Sequence, residues 1–322
     1  ENYFFKLSRY QSKLIDLLKK GTLRIVPETR KNEILAFLRQ PLLDISISRS
    51  NERAKNWGVP VPGDEKQRMY VWFDALNIYQ SGIGFGVNDK KYKKWWPADV
   101  HVIGKGIVRF HAIYWPAFLL SAKLKLPKTI FVHGYLTLGG QKMSKSLGNV
   151  VDPFELVEKY GKDAVRYFLL REIPPTEDGD FTYEKFEKRY NSDLASGLGN
   201  LVARVLKLAR KFEIRNPKRA QNSKFKTIIK KTWRNYHKAL GDFKFNEAFL
   251  DVWDLIAFCD KYIEKERPWE QSKKQKEVIG NLLLTLAEIA EMLKPFLPET
   301  SEKIRGQLIR EKPRALFPRL TY

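Results

Sequence analysis

The first half of the chain alternates short β-rich runs with a helical pattern, and this alternation restricts the fold more than any other feature. Three runs predict strands: MYVWFD (residues 69–74), DVHVIG (99–104) and TIFVHG (129–134). Between the last two runs, residues 106–124 repeat apolar side chains at steps of three and four, which is typical of a crossover helix. A strand–helix–strand order predicts a parallel sheet, so we expect residues 1–135 to form an α/β domain.

The second half of the chain changes to long helical patterns. These patterns cover residues 183–210, 224–240, 245–265 and 274–293. We therefore predict a helical bundle over residues 181–322, joined to the α/β part by a linking segment at residues 136–180. The expected fold class is α/β plus all-α.

Composition narrows the classes of partner and of site. The chain has 322 residues, enough for two hydrophobic cores, and its 59 Lys and Arg against 37 Asp and Glu give a net charge of +22. That excess indicates a polyanionic partner such as nucleic acid or an anionic membrane surface, with a generally basic proteome as the alternative. The single cysteine, Cys259, argues against a disulfide framework and against a cysteine-ligated zinc site in this chain, and favours a reducing cytoplasm. With no apolar run of membrane-spanning length, we expect no membrane role.

A cluster of lysines and serines, KMSKS at residues 142–146, lies between the third predicted strand and a helical pattern. We call residues 142–146 the KMSKS loop. A loop that follows a parallel strand lies at the carboxyl edge of the sheet, where α/β folds bind their ligands. Lys142 and Lys145 would there offset the negative charge that grows on phosphate oxygens during attack at a phosphoryl centre. An isolated lysine pair is more often a solvated loop, but the flanking FVHG and LGNVVDP favour the phosphate role.

Four stretches carry a resemblance to a known family: KMSKSLGN, VWFDALNIY, HVIGKGIVRFHAIYWPAFLLSA and DISISRSNERAKNWGVPVPGD. They resemble class I aminoacyl-tRNA synthetases and, within that class, the methionyl-tRNA synthetases. The resemblance implies the carboxyl-terminal half of a Rossmann-type catalytic domain at residues 1–135. It implies the KMSKS loop with a stem-contacting segment at 136–180, and a helical anticodon-binding domain at 181–322. ATP with Mg²⁺, methionine and methionine tRNA are the implied ligands of a cytoplasmic methionine–tRNA ligase.

The resemblance also assigns the residues of a catalytic site. The implied ATP contacts are His133, Gly134, Lys142, Met143, Ser144, Lys145 and Ser146, with Lys142 and Lys145 as the catalytic cations. The implied methionine pocket consists of Trp72, Ala75, Leu76, Tyr79, Ile107 and His111. Aromatic walls suit a polarizable thioether. We expect the first four of these residues at the end of a strand and the last two on the crossover helix. Taken alone, Trp72 and His111 would be interpreted as core residues.

Three residues of the helical part are implied in anticodon recognition. Asn200 and Arg204 share a helix face at an i, i+4 spacing, and Trp269 follows Pro268. Unpaired tRNA bases are bound by stacking on aromatic rings and by hydrogen bonds to base edges. The alternatives are a solvated helix face for Asn200 and Arg204, and a packing residue at a helix start for Trp269.

Two departures from the family pattern qualify the resemblance. Gly106 stands where the family usually has a carboxylate, and the HIGH-type histidine pair of the first half of the fold is not found in the sequence. We therefore expect the chain alone not to activate methionine, and a separate N-terminal catalytic half is one way to complete it. The alternatives are a non-catalytic tRNA-binding subunit of a split synthetase, and a class I synthetase for another aliphatic amino acid.

Overall fold

The computed structural model describes residues 1–214, 222–270, 274–310 and 314–321, with the backbone alone at Lys145 and Arg310. The chain forms two compact units, Glu1–Gly134 and Tyr135–Tyr322. Residues 136–180 and 181–322, which the sequence prediction separated, both belong to the second unit. No helix in the described part of the chain is long and apolar enough to cross a membrane.

The first unit is built around a parallel sheet. Its strands are Arg24–Val26, Thr129–His133 and Val100–Gly104, with Thr129–His133 in the centre and both pairings parallel. The predicted crossover between the last two strands is helical, and it runs through a 3₁₀ turn, a π-helix at Phe110–Tyr114 and an α-helix at Trp115–Ser121. The predicted α/β character and the two predicted strands at 99–104 and 129–134 are confirmed.

The remaining elements of the first unit surround this sheet. Strand Phe4–Phe5 pairs antiparallel with Ile45–Ser46, and Asp64–Met69 lies antiparallel between Ser48–Ser50 and Pro60–Val61. The other helical elements are Leu7–Tyr10, Gln11–Lys19, Glu28–Phe37, Asn51–Ala54, Val71–Ala75, Ile78–Ser81 and Asp89–Trp95. Helices Gln11–Lys19 and Glu28–Phe37 bury leucine and isoleucine side chains in one cluster with Ile130 and Val132 of the central strand. The sheet is therefore held in place by apolar packing.

The predicted strand at residues 69–74 is wrong. Strand Asp64–Met69 ends where the prediction began, and a helix covers Val71–Ala75. Trp72, Leu76 and Tyr79 recur at i, i+4 and i+7, a helical spacing that places them on one side of the chain. Leu76 is buried there, with Trp72 and Tyr79 packed against its cluster. These pocket candidates therefore lie on or between two short helices and not at the end of a strand.

The second unit begins with a small sheet that carries the KMSKS loop. Strand Leu136–Leu138 pairs antiparallel with Gln141–Lys142 and parallel with Gly179–Phe181. The two residues between the antiparallel strands, Gly139 and Gly140, have φ of +58° and +79°. A two-residue hairpin turn with both central residues left-handed strongly favours glycine. The turn is thus set by local sequence.

The second unit is otherwise helical. Its described α- and π-helices are Pro153–Tyr160, Lys162–Arg171, Tyr183–Arg189, Tyr190–Gly199, Asn200–Lys211, Ser223–Gly241, Phe245–Glu266, Gln275–Leu293 and Pro298–Arg310. The four predicted helical patterns are confirmed, and the helix Pro298–Arg310 was not predicted. Tyr183–Lys211 is one continuous helix whose middle part, Tyr190–Gly199, is a π-helix. One hydrophobic core joins Tyr167 and Phe168 to the bundle helices.

Candidate functional site

Three of the predicted pocket residues form a hydrogen-bonded group in the first unit. The Tyr79 hydroxyl lies 2.7 Å from His111 Nε2, and His111 Nδ1 lies 3.0 Å from the Ile107 carbonyl oxygen. A carbonyl only accepts, so Nδ1 carries the hydrogen. Burial lowers the pKa of His111, against the smaller opposing effect of its bond to Ile107. The ring is therefore neutral near pH 7, and its Nε2 accepts a hydrogen bond from the Tyr79 hydroxyl.

Aromatic rings surround this group. Trp72 stacks on Phe110 with ring centroids 4.1 Å apart, and it meets the His111 ring edge-on at 6.4 Å. Phe110 was missed by sequence reasoning, although it directly precedes His111 on the predicted crossover helix. Leu76 is buried, whereas Ala75 is exposed. The structure thus links five of the six predicted pocket residues through packing and hydrogen bonds, and it leaves Ala75 at the surface.

A second buried histidine lies behind Tyr79. The rings of His101 and Tyr79 have centroids 4.2 Å apart, and His101 is 6.3 Å from His111. Burial, helped by the nearby His111, lowers the pKa of His101 to about 4. His101 Nε2 is buried with no hydrogen-bond partner among the described residues. Both histidines are consequently uncharged near pH 7.

The remaining candidates of the first unit lie at other places. His133 ends the strand Thr129–His133, and its Nδ1 lies 2.7 Å from the Gly134 carbonyl oxygen. Gly106 is exposed in a 3₁₀ turn that precedes the crossover helix. A cavity of about 270 Å³ is lined by Phe73, Asn77 and residues of helix Trp115–Ser121, and by none of the six predicted pocket residues.

The KMSKS loop of the second unit is closed by a side chain that follows it. Asn149 Oδ1 accepts the Ser144 N–H at 2.8 Å, and Asn149 Nδ2 donates to the Lys142 carbonyl oxygen at 3.1 Å. The Ser144 and Ser146 hydroxyls are 2.7 Å apart. Lys142 Nζ lies 5.8 Å from the centre of the Tyr135 ring. The loop is therefore an ordered turn.

The structure describes the side chain of Met143 in this loop but only the backbone of Lys145. Met143 is half-buried and packs against the core of the second unit. Lys145 begins the short turn Lys145–Leu147, and its side chain lies outside the described residues.

The hairpin that precedes the loop is fixed by Asp180. Its Oδ1 accepts the Gly140 N–H and the Thr137 hydroxyl, both at 2.7 Å, and its Oδ2 lies 3.4 Å from Lys185 Nζ. The hydrogen bond from Gly140, followed by that from Thr137, lowers the pKa of Asp180. Sequence reasoning missed both Asp180 and Asn149. Asn149 stands inside the quoted motif KMSKSLGN, but nothing in its spacing showed that it turns back on the loop.

Two of the three anticodon candidates meet on the helical face. The Arg204 guanidinium carbon lies 5.5 Å from the centre of the Trp269 ring, within the range of a cation–π contact. Arg204 also forms an ion pair with Glu264 at 2.5 Å. Asn200 is exposed one turn before Arg204 on the helix Asn200–Lys211, and Trp269 is 39% exposed in the turn after helix Phe245–Glu266.

Carboxyl groups lie beside this cation. Burial raises the pKa of Asp260, and the positive charge of Arg204 opposes that rise. An exposed indole, a guanidinium and carboxyl groups on one surface offer both a stacking platform and hydrogen-bonding groups for base edges. In the described ranges no group of three or more His, Cys, Asp or Glu side chains is arranged to hold a metal ion.

Comparisons with known proteins cover both units. The family model described as tRNA synthetases class I (M) matches residues 1–206, and the anticodon-binding domain of tRNA ligase matches residues 222–317. The methionine–tRNA ligase of Brucella suis is 44% identical over 313 residues, which are 94% of this chain and 60% of that protein. The methionine–tRNA ligase of Clostridium perfringens is 46% identical over 321 residues, which are 96% of this chain and 49% of that protein.

A solved structure agrees with these relatives. The Mycobacterium tuberculosis methionyl-tRNA synthetase in complex with methionyl-adenylate has a TM-score of 0.89 at 36% identity, covering 99% of this chain and 69% of that one. The chain spans about half to three fifths of the length of the two relatives described above. Because the first family model matches well over half of the chain, and an anticodon-binding domain follows it, the chain belongs to the class I methionyl-tRNA synthetase family.

Proposed function

We propose that this chain is part of a methionine–tRNA ligase, which joins methionine to ATP as methionyl-adenylate and then transfers the methionyl group to methionine tRNA. The observation that carries the proposal is the similarity to methionine–tRNA ligases over 94% or more of the chain. Because these relatives are methionine–tRNA ligases, methionine is favoured as the substrate over another aliphatic amino acid. A cytoplasmic location belongs to the same proposal and rests on the single, buried thiol of Cys259.

The pocket for the methionine side chain consists of Trp72, Ala75, Leu76, Tyr79, Ile107 and His111. Methionine offers an unbranched, uncharged chain with a polarizable sulfur, and sulfur contacts with aromatic rings are favourable. The neutral state of His111 supports this assignment, because a charged imidazolium in the pocket would favour a polar or anionic side chain. Phe110, which stacks on Trp72, joins the proposed pocket.

The proposed ATP contacts are His133, Gly134 and the residues of the KMSKS loop. Attack of the methionine carboxylate on the α-phosphate releases pyrophosphate, and negative charge moves onto phosphate oxygens as that bond breaks. The ammonium groups of Lys142 and Lys145 would offset this charge. Magnesium belongs to the proposal as the ion that accompanies ATP phosphates.

The finer fold assignment is that the first unit is the second half of a Rossmann-type catalytic domain. Strand Val100–Gly104 pairs on one side only within the described residues. Val100 and Val102 on this strand are 36% and 65% exposed. All-parallel sheets are normally covered on both faces, and their edge strands are normally kept short, charged or covered. These features support further strands of the same sheet, on the same polypeptide or on a separate N-terminal half.

The proposed tRNA contacts are Asn200, Arg204 and Trp269 for the anticodon bases, with lysines of the helical unit on the phosphates. Trp269→Ala should remove base stacking worth about 1–3 kcal/mol and bring the affinity for methionine tRNA close to that for a tRNA with another anticodon. Binding titrations of two tRNAs that differ only at the anticodon, at two salt concentrations, measure this.

The matched control for that experiment is Lys207→Ala, which removes an exposed cation from the same helix as Arg204. A phosphate contact carries no sequence information, so this variant should weaken both tRNAs alike and reduce the salt dependence. Unaltered discrimination by Trp269→Ala would make Trp269 a packing residue and would refute the anticodon assignment.

A further inference from the structure

We infer that Asn149 is a positioning residue that fixes the backbone of the KMSKS loop for its work on ATP. The inference rests on the proposed function, since the loop's task on phosphates is part of that proposal. Asn149 bonds the Ser144 N–H at 2.8 Å and the Lys142 carbonyl oxygen at 3.1 Å, so one amide group holds the backbone on both sides of Met143.

The chain returns to the loop at Asn149 because of the residue before it. Gly148 has a φ of +65°, a left-handed conformation that turns the backbone and that glycine adopts without steric cost. An asparagine side chain is suited to this place because it carries an acceptor and a donor on one short, planar group. Aspartate can only accept, and serine is too short to span both backbone groups. The half-buried Met143 adds an apolar anchor below the clamp.

The two hydrogen bonds of Asn149, which we call the clamp, matter because the lysines of the loop act on charge that develops in the transition state. A lysine stabilises a transition state best when its backbone is already held in place, because ordering it during the reaction would cost conformational entropy. Without Asn149 the loop would lose two hydrogen bonds that link residues near its start to the segment after it. The effect should therefore fall on the rate of adenylate formation more than on the binding of methionine.

The chain offers a matched control for this clamp. Asn191 also uses both ends of its amide on one backbone segment, donating to the Leu320 carbonyl oxygen at 3.2 Å and accepting the Leu320 N–H at 2.9 Å. Asn149 and Asn191 are both half-buried in the second unit. Asn149 holds the KMSKS loop, whereas Asn191 holds the backbone at Leu320.

Limited trypsin digestion tests the clamp without any substrate, because trypsin cleaves after lysine and arginine. Asn149→Ala should speed cleavage after Lys142 and Lys145 about thirtyfold, the factor expected for the loss of two net hydrogen bonds. Asn191→Ala should speed cleavage after Arg319 and leave the loop sites unchanged. Asn149→Asp keeps the acceptor for Ser144 but places an oxygen against the Lys142 carbonyl oxygen, so it should also speed cleavage of the loop. Equal cleavage of the loop in all variants would overturn the inference.

The second arm measures adenylate formation in the synthetase with a complete catalytic domain. Asn149→Ala should lower kcat about tenfold and change the KM for methionine less than about twofold. Faster cleavage with an unchanged kcat would overturn the positioning role. An unmutated synthetase that forms no methionyl-adenylate would count against the proposed function, while the digestion would still decide whether Asn149 holds the loop.

Discussion

At the scale of single residues, the candidate pocket depends on the protonation of two histidines. His111 is held in one tautomer by the Ile107 carbonyl oxygen, and His101 is 4% exposed against the Tyr79 ring. Neither imidazole can take up a proton without placing a charge among aromatic rings. The neutral pocket is therefore maintained by burial, and acid should destabilise the unit that contains it.

The pKa of His101 falls from 6.5 to about 4 on burial, so the unfolded chain binds a proton between these values that the folded chain excludes. The contribution of neutral His101 to the free energy of unfolding is therefore fully present above about pH 6.5. It is lost as the pH falls toward about 4, and the loss amounts to up to about 3 kcal/mol. His101→Phe should remove most of this dependence, although the lowered pKa of His111 retains a part with the same sign.

Urea unfolding at about pH 7 and about pH 4.5 gives the two free energies of unfolding. His237→Phe is the control, because it replaces a histidine that stacks on Trp233 in the other unit. An unchanged difference between the two pH values in His101→Phe would show that His101 is not the group that titrates.

At the scale of elements, the sequence predicted those helices, strands and turns that side-chain periodicity and turn residues determine. Two of the three parallel strands, the crossover helix and four helical stretches of the bundle followed from apolar spacing, whereas strand Arg24–Val26 and helix Pro298–Arg310 were not predicted. The run at residues 69–74 was misassigned because Val71, Trp72 and Phe73 are residue types that favour β-strands. Their type was given more importance than the helical spacing of Trp72, Leu76 and Tyr79. Strand Asp64–Met69, with the sequence DEKQRM, has no apolar alternation, and it exists because two neighbouring strands pair with it. Such pairing has no local signal.

The candidate site shows the same division. The motif residues could be named from local sequence, whereas Asn149, Asp180 and Glu264 could not. Asp180 is far from Gly140 in sequence, and it meets Gly140 only because strand Gly179–Phe181 pairs with Leu136–Leu138. A contact of this kind depends on the fold, and a single sequence gives no local sign of it.

Asp180→Ala should loosen the hairpin that leads into the KMSKS loop. The Gly140 N–H would lose a charge-assisted acceptor, so its amide hydrogen should exchange with solvent about tenfold faster. Hydrogen exchange at individual amides measures this. Asp178→Ala is the matched control, because Asp178 accepts the Tyr135 N–H at 2.8 Å and its loss should affect Tyr135 instead. Unchanged protection of Gly140 would mean that the strand pairing alone holds the hairpin.

At the scale of the whole molecule, the two units carry different parts of the proposed task. The first contains the candidate amino-acid pocket beside a sheet whose strand Val100–Gly104 has one described neighbour. The second contains the KMSKS loop and the anticodon candidates around its own hydrophobic core. Under the proposed function, the second unit would bind tRNA with its own residues, whereas adenylate formation would need further strands of the catalytic sheet.

The chain of 322 residues, purified alone, should therefore give no methionine-dependent exchange of pyrophosphate into ATP. The same preparation should still distinguish tRNAs by their anticodons, which serves as the control for correct folding. Exchange well above background from this chain would refute the proposal that further strands are needed.

The continuous helix Tyr183–Lys211 fixes the distance between two sites of the second unit. Its first turn is capped by Thr182, next to the strand that holds the KMSKS hairpin, and Arg204 lies near its other end. With an α-helical rise of about 1.5 Å per residue, and a smaller rise in the π-helix Tyr190–Gly199, the cap and Arg204 are on the order of 30 Å apart along the axis. One residue inserted into an α-helical part of this stretch would lengthen the helix slightly and would rotate Arg204 about 100° around the axis. The number of residues in this helix therefore sets the direction in which Arg204 points relative to the KMSKS hairpin.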